Sequence, residues 1–188
     1  METRTIFFIG KPGCGKGTQA KLLAEKTGWP VFSSGNLFRS FAVKDTPVGR
    51  KTKEVDVKGL LQPPWFAMYL YLDSLFSISE GQSVIFDGFN RRVPEAELVI
   101  DSLKWLDRPF LILDIRVSDE EVRRRLALRK EIEGRADDTV VDERLKEYYE
   151  HTEPAIEIFR KADIVIEING EQSHEGIAED IRTALALK

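Results

Sequence analysis

The sequence predicts an α/β fold in which a five-stranded parallel sheet carries helices on both faces. Two observations support this prediction. Short apolar segments rich in Val, Ile and Phe alternate with amphipathic helical segments, and turn-forming or charged residues follow each apolar segment. The predicted strands cover residues 5–10, 29–33, 83–86, 110–116 and 164–168. Ligands of such sheets lie beyond the carboxyl ends of the strands, so the residues there are the first candidates for a site.

Length and charge narrow the classes of protein to consider. With 188 residues, of which 42% are hydrophobic, the chain can bury one good core, and we expect residues 1–188 to form a single domain. The 28 basic and 32 acidic residues are interspersed and give a net charge of -4. This balance does not favour nucleic acid as a partner.

Cysteine content and hydrophobic patterning predict the compartment. Cys14 is the only cysteine, which excludes an internal disulfide and fits a reducing environment. No apolar run reaches the roughly 18 residues of a membrane span, and the first residues do not resemble a secretory signal. We therefore expect a cytoplasmic protein that has no membrane partner.

The first predicted strand leads into a glycine-rich loop, FFIGKPGCGKGT, at residues 7–18. Glycines let backbone N–H groups surround a phosphate, Lys16 adds a positive charge, and the start of the following helix faces the same ligand. The spacing from Gly10 to Lys16 fits the P-loop pattern, although Gly17 stands where Ser or Thr usually follows the lysine, and Thr18 comes next. The loop therefore predicts the phosphate chain of a nucleoside triphosphate as ligand.

Two further strand ends carry polar residues, 34–36 (Ser-Gly-Asn) and 87–91 (Asp-Gly-Phe-Asn-Arg). Because parallel strands end at the same edge of a sheet, we expect these residues and the P-loop to form one site. A carboxylate beside a phosphate loop is unfavourable unless it faces a cation, so Asp87 is a candidate for a water-mediated contact to Mg²⁺. A structural alternative, compatible with the first, has Asp87 capping the turn through Gly88.

The other segments predict helices. Residues 34–58 have a helical pattern, and residues 34–63 could form a small mobile flap. The apolar segment 65–78 predicts a buried helix whose core residues are Trp65, Phe66, Met68, Leu72, Leu75 and Phe76. Residues 119–161 form a charged helical region that is interrupted at Gly134 and begins after an N-cap at Ser118.

Phosphoryl transfer requires several positive charges around the migrating group, and one lysine is too few. Arg125 and Arg129 lie four residues apart and share a helix face, while Arg135 lies across the break and Arg144 on the next helix. Two helices joined by a short turn could close over the nucleotide as a lid at about residues 125–144. Such a lid would exclude water, which would otherwise accept the phosphoryl group.

In combination these motifs resemble the adenylate kinase family over nearly the whole chain. Residues 10–19 are similar to the family's P-loop, in which a glycine normally separates the lysine from the threonine. Residues 33–39 resemble the segment that binds the monophosphate, and residues 59–63 resemble the stretch whose backbone lines the base pocket. Residues 87–91 match the family's Asp-Gly-Phe-Pro-Arg except that Asn90 replaces the proline.

The resemblance implies the three-layer fold of the P-loop NTPases, with a nucleoside-monophosphate-binding segment at 34–63. Residues 134–138 and 144–154 resemble the closing half of the family's lid. The few residues between Arg129 and Arg135 imply the short type of lid, which has no structural zinc. We expect a monomer whose partners are small-molecule nucleotides and whose cofactor is Mg²⁺.

The resemblance also assigns residues to the two nucleotides. Those implied for ATP are Gly13, Cys14, Gly15, Lys16, Gly17, Thr18, Arg125, Arg129 and Gln172. Those implied for the monophosphate are Ser34, Gly35, Arg39, Leu60, Leu61, Gln62, Gly88, Arg91, Glu95, Arg135 and Arg144. The implied catalytic residues are Lys16, Arg91, Arg129, Arg135 and Arg144. Asp87 is implied as the water-mediated Mg²⁺ contact, with Thr18 as a further candidate ligand.

The implied reaction is the reversible transfer of the ATP γ-phosphoryl group to AMP, giving two ADP, but Glu95 leaves the acceptor base open. Glu95 stands four residues after Arg91, where adenylate kinases usually carry a glutamine that contacts the adenine edge. Glutamine donates and accepts, whereas an ionised glutamate only accepts, which suits the N1–H and 2-amino groups of guanine. GMP is therefore an alternative acceptor. If Glu95 turns away, Ser34 and backbone groups could still bind AMP.

Two other functions are alternatives at the level of sequence. One is a P-loop kinase for another small metabolite, which would have no use for Arg39 or a base pocket. The other is a non-catalytic nucleotide-binding module. The joint presence of Lys16, Asp87, Arg91 and the lid arginines argues against the module, because binding alone needs fewer charges.

Overall fold

The sheet has five parallel strands, as the sequence predicts. The computed structural model describes residues 4–133 and 140–187, and its strands are β1 (Thr5–Gly10), β2 (Val31–Ser33), β3 (Val84–Asp87), β4 (Phe110–Arg116) and β5 (Val165–Asn169). Their order is β2-β3-β1-β4-β5, and all four pairs are parallel. The strand order reverses direction at β1, so the loop after β1 lies where a ligand is expected.

Helices cover both faces of the sheet and give the three layers of a P-loop fold. One face is covered by α1 (Lys16–Thr27), α6 (Asp119–Glu133) and α9 (His174–Ala184). The other face is covered by α4 (Pro64–Phe76), α5 (Val93–Trp105) and α8 (Glu153–Lys161). Between β2 and α4 lie α2 (Ser34–Ala42) and α3 (Pro47–Val57). A π-helical turn (Tyr148–Thr152) joins α7 (Val141–Glu147) to α8.

The alternation of side chains along β1 supplies both halves of the core. Phe7 and Ile9 pack into the cluster beneath α4, α5 and α8. Ile6 and Phe8 pack on the opposite face, beneath α1, α6 and α9. Because both faces of the strand are covered, every residue of β1 is buried, which explains its continuous apolar sequence.

The helix predicted at 65–78 is present as α4, but its outer face is exposed. Phe66 and Leu75 are buried as predicted, whereas Trp65 is 65% exposed and Phe76 is 77% exposed. The prediction was wrong for these two side chains because α4 packs on the sheet along one side only. Neither α4 nor any other helix in the described ranges is long and apolar enough to cross a membrane.

The single helix predicted at 34–58 is two helices, α2 and α3. Pro47 disfavours a helical backbone in the residue before it, and Thr46 is accordingly extended, with φ −133° and ψ 160°. The Thr46 hydroxyl then caps α3 by accepting a hydrogen bond from the N–H of Gly49 (3.0 Å). The chain therefore turns a corner between α2 and α3.

We expect Gly49→Ala to destabilise this corner. A Cβ atom at Gly49 would lie 2.1 Å from the Lys44 carbonyl oxygen and 2.6 Å from that of Phe41, so the backbone would have to shift. The expected loss in the free energy of unfolding is about 1–3 kcal/mol, measured by urea titration.

Gly176→Ala is the matched control, because Gly176 likewise donates its N–H to an N-cap hydroxyl, that of Ser173 (3.1 Å). A Cβ atom there would approach only side-chain atoms, the nearest at 3.3 Å. Its stability should be unchanged or raised by up to about 1 kcal/mol, since alanine favours helix. Equal effects of the two substitutions would contradict the steric explanation.

Candidate active site

A cavity of about 1070 Å³ opens at the carboxyl ends of β1, β2 and β3. Its volume lies just above the roughly 300–1,000 Å³ typical of a small-molecule site, so it is large enough for an extended ligand or a pair of ligands. The predicted site residues that line it are Gly13, Gly15, Lys16, Gly17, Thr18, Ser34, Gly35, Arg39, Leu60, Leu61, Gln62, Asp87, Gly88, Arg91, Glu95, Arg125, Arg129 and Arg144. The fold thus brings separate parts of the chain to one cavity.

Three predicted residues are not among those that line the cavity. Gln172 is exposed and its amide donates to the Asn169 carbonyl (3.0 Å) and the Asp180 carboxylate (2.7 Å), outside the cavity. Cys14 is fully buried in the core below the loop. Arg135 lies outside the described residues.

The P-loop is shaped by a close approach of two strands. Gly10 has φ 138°, and a Cβ atom there would lie 2.5 Å from the Ile115 carbonyl oxygen of β4. Only glycine fits this position without a backbone shift. The helix α1 then begins at Lys16 without a side-chain cap, so N–H groups of its first turn are left for a ligand at the cavity.

The Lys16 amine lies on the loop itself. Its Nζ atom donates to the carbonyl oxygens of Gly10 (2.8 Å) and Lys11 (2.7 Å) and lies 3.4 Å from the Cys14 sulfur. Burial lowers the pKa of Lys16 below its ordinary value, and the nearby Arg91 guanidinium acts in the same direction. The amine is thus held among carbonyl oxygens beside the positive end of α1.

The Arg125 guanidinium connects the P-loop to the loop after β5. It donates to the Cys14 carbonyl (3.1 Å), the Gly170 carbonyl (2.7 Å) and the Glu121 carboxylate (2.5 Å). Hydrogen bonds from Arg124 and Arg125 lower the pKa of Glu121 to about 2, so this carboxylate stays charged at neutral pH. These bonds run in the plane of the guanidinium, so none of them occupies its faces.

On the opposite side of the cavity, Gly88 organises the turn after β3. Its carbonyl oxygen accepts hydrogen bonds from the Ser34 hydroxyl (2.7 Å) and from the Nε of Arg91 (2.6 Å). Gly88 has φ 74°, and a Cβ atom there would lie 2.7 Å from the Arg91 guanidinium. The turn therefore fixes the Arg91 side chain. Because the Ser34 hydroxyl donates its proton to the Gly88 carbonyl, the Ser34 oxygen can only accept a further hydrogen bond.

Asn90, which stands where the family pattern has proline, takes a left-handed backbone conformation with φ 63°. Proline is fixed near φ −65° and cannot adopt it. The Asn90 side chain is 2% exposed, and neither its amide nitrogen nor its oxygen has a hydrogen-bond partner within the described residues.

Glu95 lines the cavity and also caps the helix α5. Its carboxylate accepts a hydrogen bond from the backbone N–H of Arg91 (2.9 Å), an arrangement that the sequence analysis missed. The signal was present, because Glu95 is the third residue of a helix that has proline in its first turn. Burial raises the pKa of Glu95, and the Arg91 N–H and guanidinium oppose this rise.

Asp87 is suited to a hydrated divalent cation. Its carboxylate accepts a hydrogen bond from the Ser33 hydroxyl (3.1 Å) and lies over the start of α1, where a Cβ atom at Gly17 would be 3.5 Å away. The N–H of Gly88 donates to the Phe8 carbonyl (3.2 Å), so that group is already satisfied without Asp87. Together with the Thr18 hydroxyl on the same cavity, this is the oxygen donor set that Mg²⁺ prefers.

Glu147 is a cavity residue that the sequence analysis did not identify. Its carboxylate accepts a hydrogen bond from the backbone N–H of Leu61, 86 positions earlier in the chain (2.9 Å). In the sequence alone, no feature of the charged segment around Glu147 distinguishes it from the exposed charged residues nearby. Only the fold shows that this side chain is buried.

Comparisons with known proteins agree with this geometry. The family model described as adenylate kinase matches residues 8–164. The chain is 36% identical over 188 residues to the adenylate kinase of Maricaulis maris, which covers 97% of this chain and 99% of that protein. It is 32% identical over 191 residues to adenylate kinase isoenzyme 1 of Homo sapiens, covering 100% and 97%. It is also 32% identical over 187 residues to the adenylate kinase of Thermus thermophilus, covering 98% of each. With these matches and a P-loop that shares its cavity with a cluster of arginines, the chain belongs to the adenylate kinase family, whose members are phosphotransferases that have a phosphate group as acceptor.

Proposed function

We propose that the protein catalyses the reversible, Mg²⁺-dependent transfer of the γ-phosphoryl group of ATP to AMP, giving two ADP. The observation that carries the proposal is a single cavity lined by the P-loop, by the Arg91–Gly88–Ser34 turn and by further arginines. This arrangement suits two anionic nucleotides that lie end to end.

The donor nucleotide is held at the start of α1. Backbone N–H groups of Gly13–Thr18 and the Lys16 ammonium bind its phosphates. One face of the Arg125 guanidinium stacks on its base. Asp87, through water, and Thr18 would hold Mg²⁺, which would neutralise charge on the phosphates.

The acceptor nucleotide is held by the 34–63 segment and the turn after β3. Arg39 and Arg91 bind its phosphate, and residues 60–62 line its base through their backbone. Because the Ser34 proton is committed to the Gly88 carbonyl, the Ser34 oxygen acts as an acceptor, which suits the 6-amino group of adenine.

The transfer itself depends on alignment and on positive charge rather than on a covalent intermediate or a dedicated base. Lys16 and Arg91 approach from the sheet, while Arg129, Arg135 and Arg144 belong to the lid at about residues 125–144. Closure of the lid and of the 34–63 segment excludes water, which would otherwise take the phosphoryl group.

GMP is the second candidate acceptor, because Glu95 lines the cavity and, when ionised, only accepts hydrogen bonds. Such a carboxylate suits the N1–H and 2-amino groups of guanine. The hydrogen bond from the Arg91 N–H gives Glu95 a separate role in capping α5, which favours AMP as the first candidate.

We expect Lys16→Ala to lower kcat by at least about 100-fold, because the ammonium stabilises charge that develops during transfer. The measurement is a coupled assay with ATP and AMP, together with the thermal unfolding temperature. Lys26→Ala is the control, since Lys26 is an exposed lysine in the last turn of the same helix. Full activity of Lys16→Ala would remove the P-loop from the mechanism.

We expect the wild-type protein to use AMP in preference to GMP, CMP and UMP, and Glu95→Gln to raise the AMP-to-GMP ratio of kcat/KM. A gain of about tenfold corresponds to one well-formed hydrogen bond to the base. Glutamine can still cap α5, and it removes a buried carboxylate whose pKa is raised by burial, so the variant should be at least as stable at pH 7.

Two outcomes of this comparison would be informative against the proposal. A wild-type preference for GMP would replace AMP by the second candidate. An unchanged AMP-to-GMP ratio of kcat/KM in Glu95→Gln would show that Glu95 serves α5 and does not contact the base.

A further inference from the structure

We propose that Glu147 is a positioning residue for the acceptor nucleotide, an inference that rests on the proposed function. It holds the base-lining segment, residues 59–62, against the helix α7. The same helix carries Arg144, which lines the cavity where transfer is proposed to occur. Glu147 thus fixes the distance between the acceptor base and this arginine.

The contact is a hydrogen bond between a side chain and the backbone of a distant segment. The Glu147 carboxylate accepts from the Leu61 N–H at 2.9 Å, and the Glu147 side chain is only 11% exposed. Hydrogen bonds from an N–H group to a charged, sheltered carboxylate are stronger than those between neutral groups. The bond therefore restrains the backbone of residue 61, not merely a flexible side chain.

The remaining hydrogen bonds described for this segment are local and lead to α3. The Leu60 N–H donates to the Val55 carbonyl (3.3 Å), and the Gln62 side-chain amide donates to the Thr52 carbonyl (2.9 Å). Both partners of each bond belong to the 34–63 segment, so these bonds do not tie it to the rest of the fold. The Glu147 bond is different in kind, because it ties the segment to another part of the fold.

Packing at Gly59 supports the same docking. A Cβ atom at Gly59 would lie 2.6 Å from a methyl group of Val140 and 3.0 Å from Cγ of Arg144. The backbone of residue 59 therefore lies directly against the start of α7. Glu147 then secures the other end of the contact, one turn after Arg144.

A carboxylate in a cavity built for two polyanions needs a compensating charge. Arg92 provides it, with a guanidinium nitrogen 3.4 Å from the Glu147 carboxylate, and His151 lies 3.8 Å from the other carboxylate oxygen. Arg92 directly follows Arg91, the proposed ligand of the acceptor phosphate. Glu147 thereby contacts both the 59–62 segment and the residue next to Arg91.

Two variants separate the hydrogen bond of Glu147 to Leu61 from its ion pair with Arg92, and a third variant is the control. Glu147→Ala removes both the bond to Leu61 and the ion pair with Arg92. Glu147→Gln keeps an oxygen that can accept from Leu61 and loses the charge. Glu150→Ala is the control, because Glu150 is an exposed carboxylate three residues further along the chain.

In steady-state assays we expect Glu147→Ala to raise the KM for the acceptor monophosphate about tenfold, with the KM for ATP changed less than about twofold. Glu147→Gln should show a smaller rise, and Glu150→Ala should match the wild type. A role in stability alone would lower the unfolding temperature without separating the two KM values. Equal changes in both KM values, or none, would overturn the proposal.

Amide hydrogen exchange measured by NMR without nucleotide tests the contact directly. In Glu147→Ala the Leu61 amide should exchange about tenfold faster, while the Leu60 amide, bound to Val55, should keep its rate. An unchanged Leu61 rate would overturn the proposal. Failure of the proposed function would appear differently, as absence of phosphoryl transfer to every monophosphate in the wild type itself.

Discussion

The burial of β1 on both faces and between two parallel neighbours is the constraint on which the site depends. Hydrogen bonds to β3 and β4 fix the strand along its length, and the close approach of Gly10 to the Ile115 carbonyl fixes its last residue. The P-loop therefore starts from a position that a ligand cannot displace. Loops at the ends of such a strand can be shaped for phosphate because the scaffold beneath them is rigid.

A second requirement is that a cavity crowded with cations must be stable before any anion arrives. The protein meets it by engaging cationic groups with oxygen acceptors of its own. Lys16 donates to two loop carbonyls, Arg125 is held by Glu121, and Arg92 faces Glu147. The positive groups are therefore already oriented before the ligand binds. Because they need not reorient during the reaction, they can stabilise the charge of a transition state at little energetic cost.

The sequence was sufficient to predict the strands, the P-loop and 18 of the residues that line the cavity, because these follow from local pattern, motif spacing and the resemblance to the family. The corner before α3 could also have been predicted from Thr46 and Pro47, a cap followed by a helix-starting proline. Glu147 could not, since its partner lies 86 positions away and only tertiary packing brings them together. The role implied for Gln172 stays a prediction, and its side-chain amide is bound to Asn169 and Asp180 outside the cavity.

The two departures from the family pattern, Asn90 and Glu95, are neighbours in space as well as in sequence. Both line a small cavity beside Ala67 and Phe89 that has no room for a water molecule, and Glu95 also lines the main cavity. The Asn90 amide has no hydrogen-bond partner there among the described residues. Glu95 accepts a hydrogen bond from the backbone N–H of Arg91, the residue that directly follows Asn90. Because the two side chains share one enclosed space and one turn, a change in either alters the setting of the other. Under the proposed function, base preference and the orientation of Arg91 are therefore coupled through this turn, and Glu95 cannot be treated as an isolated replacement of glutamine.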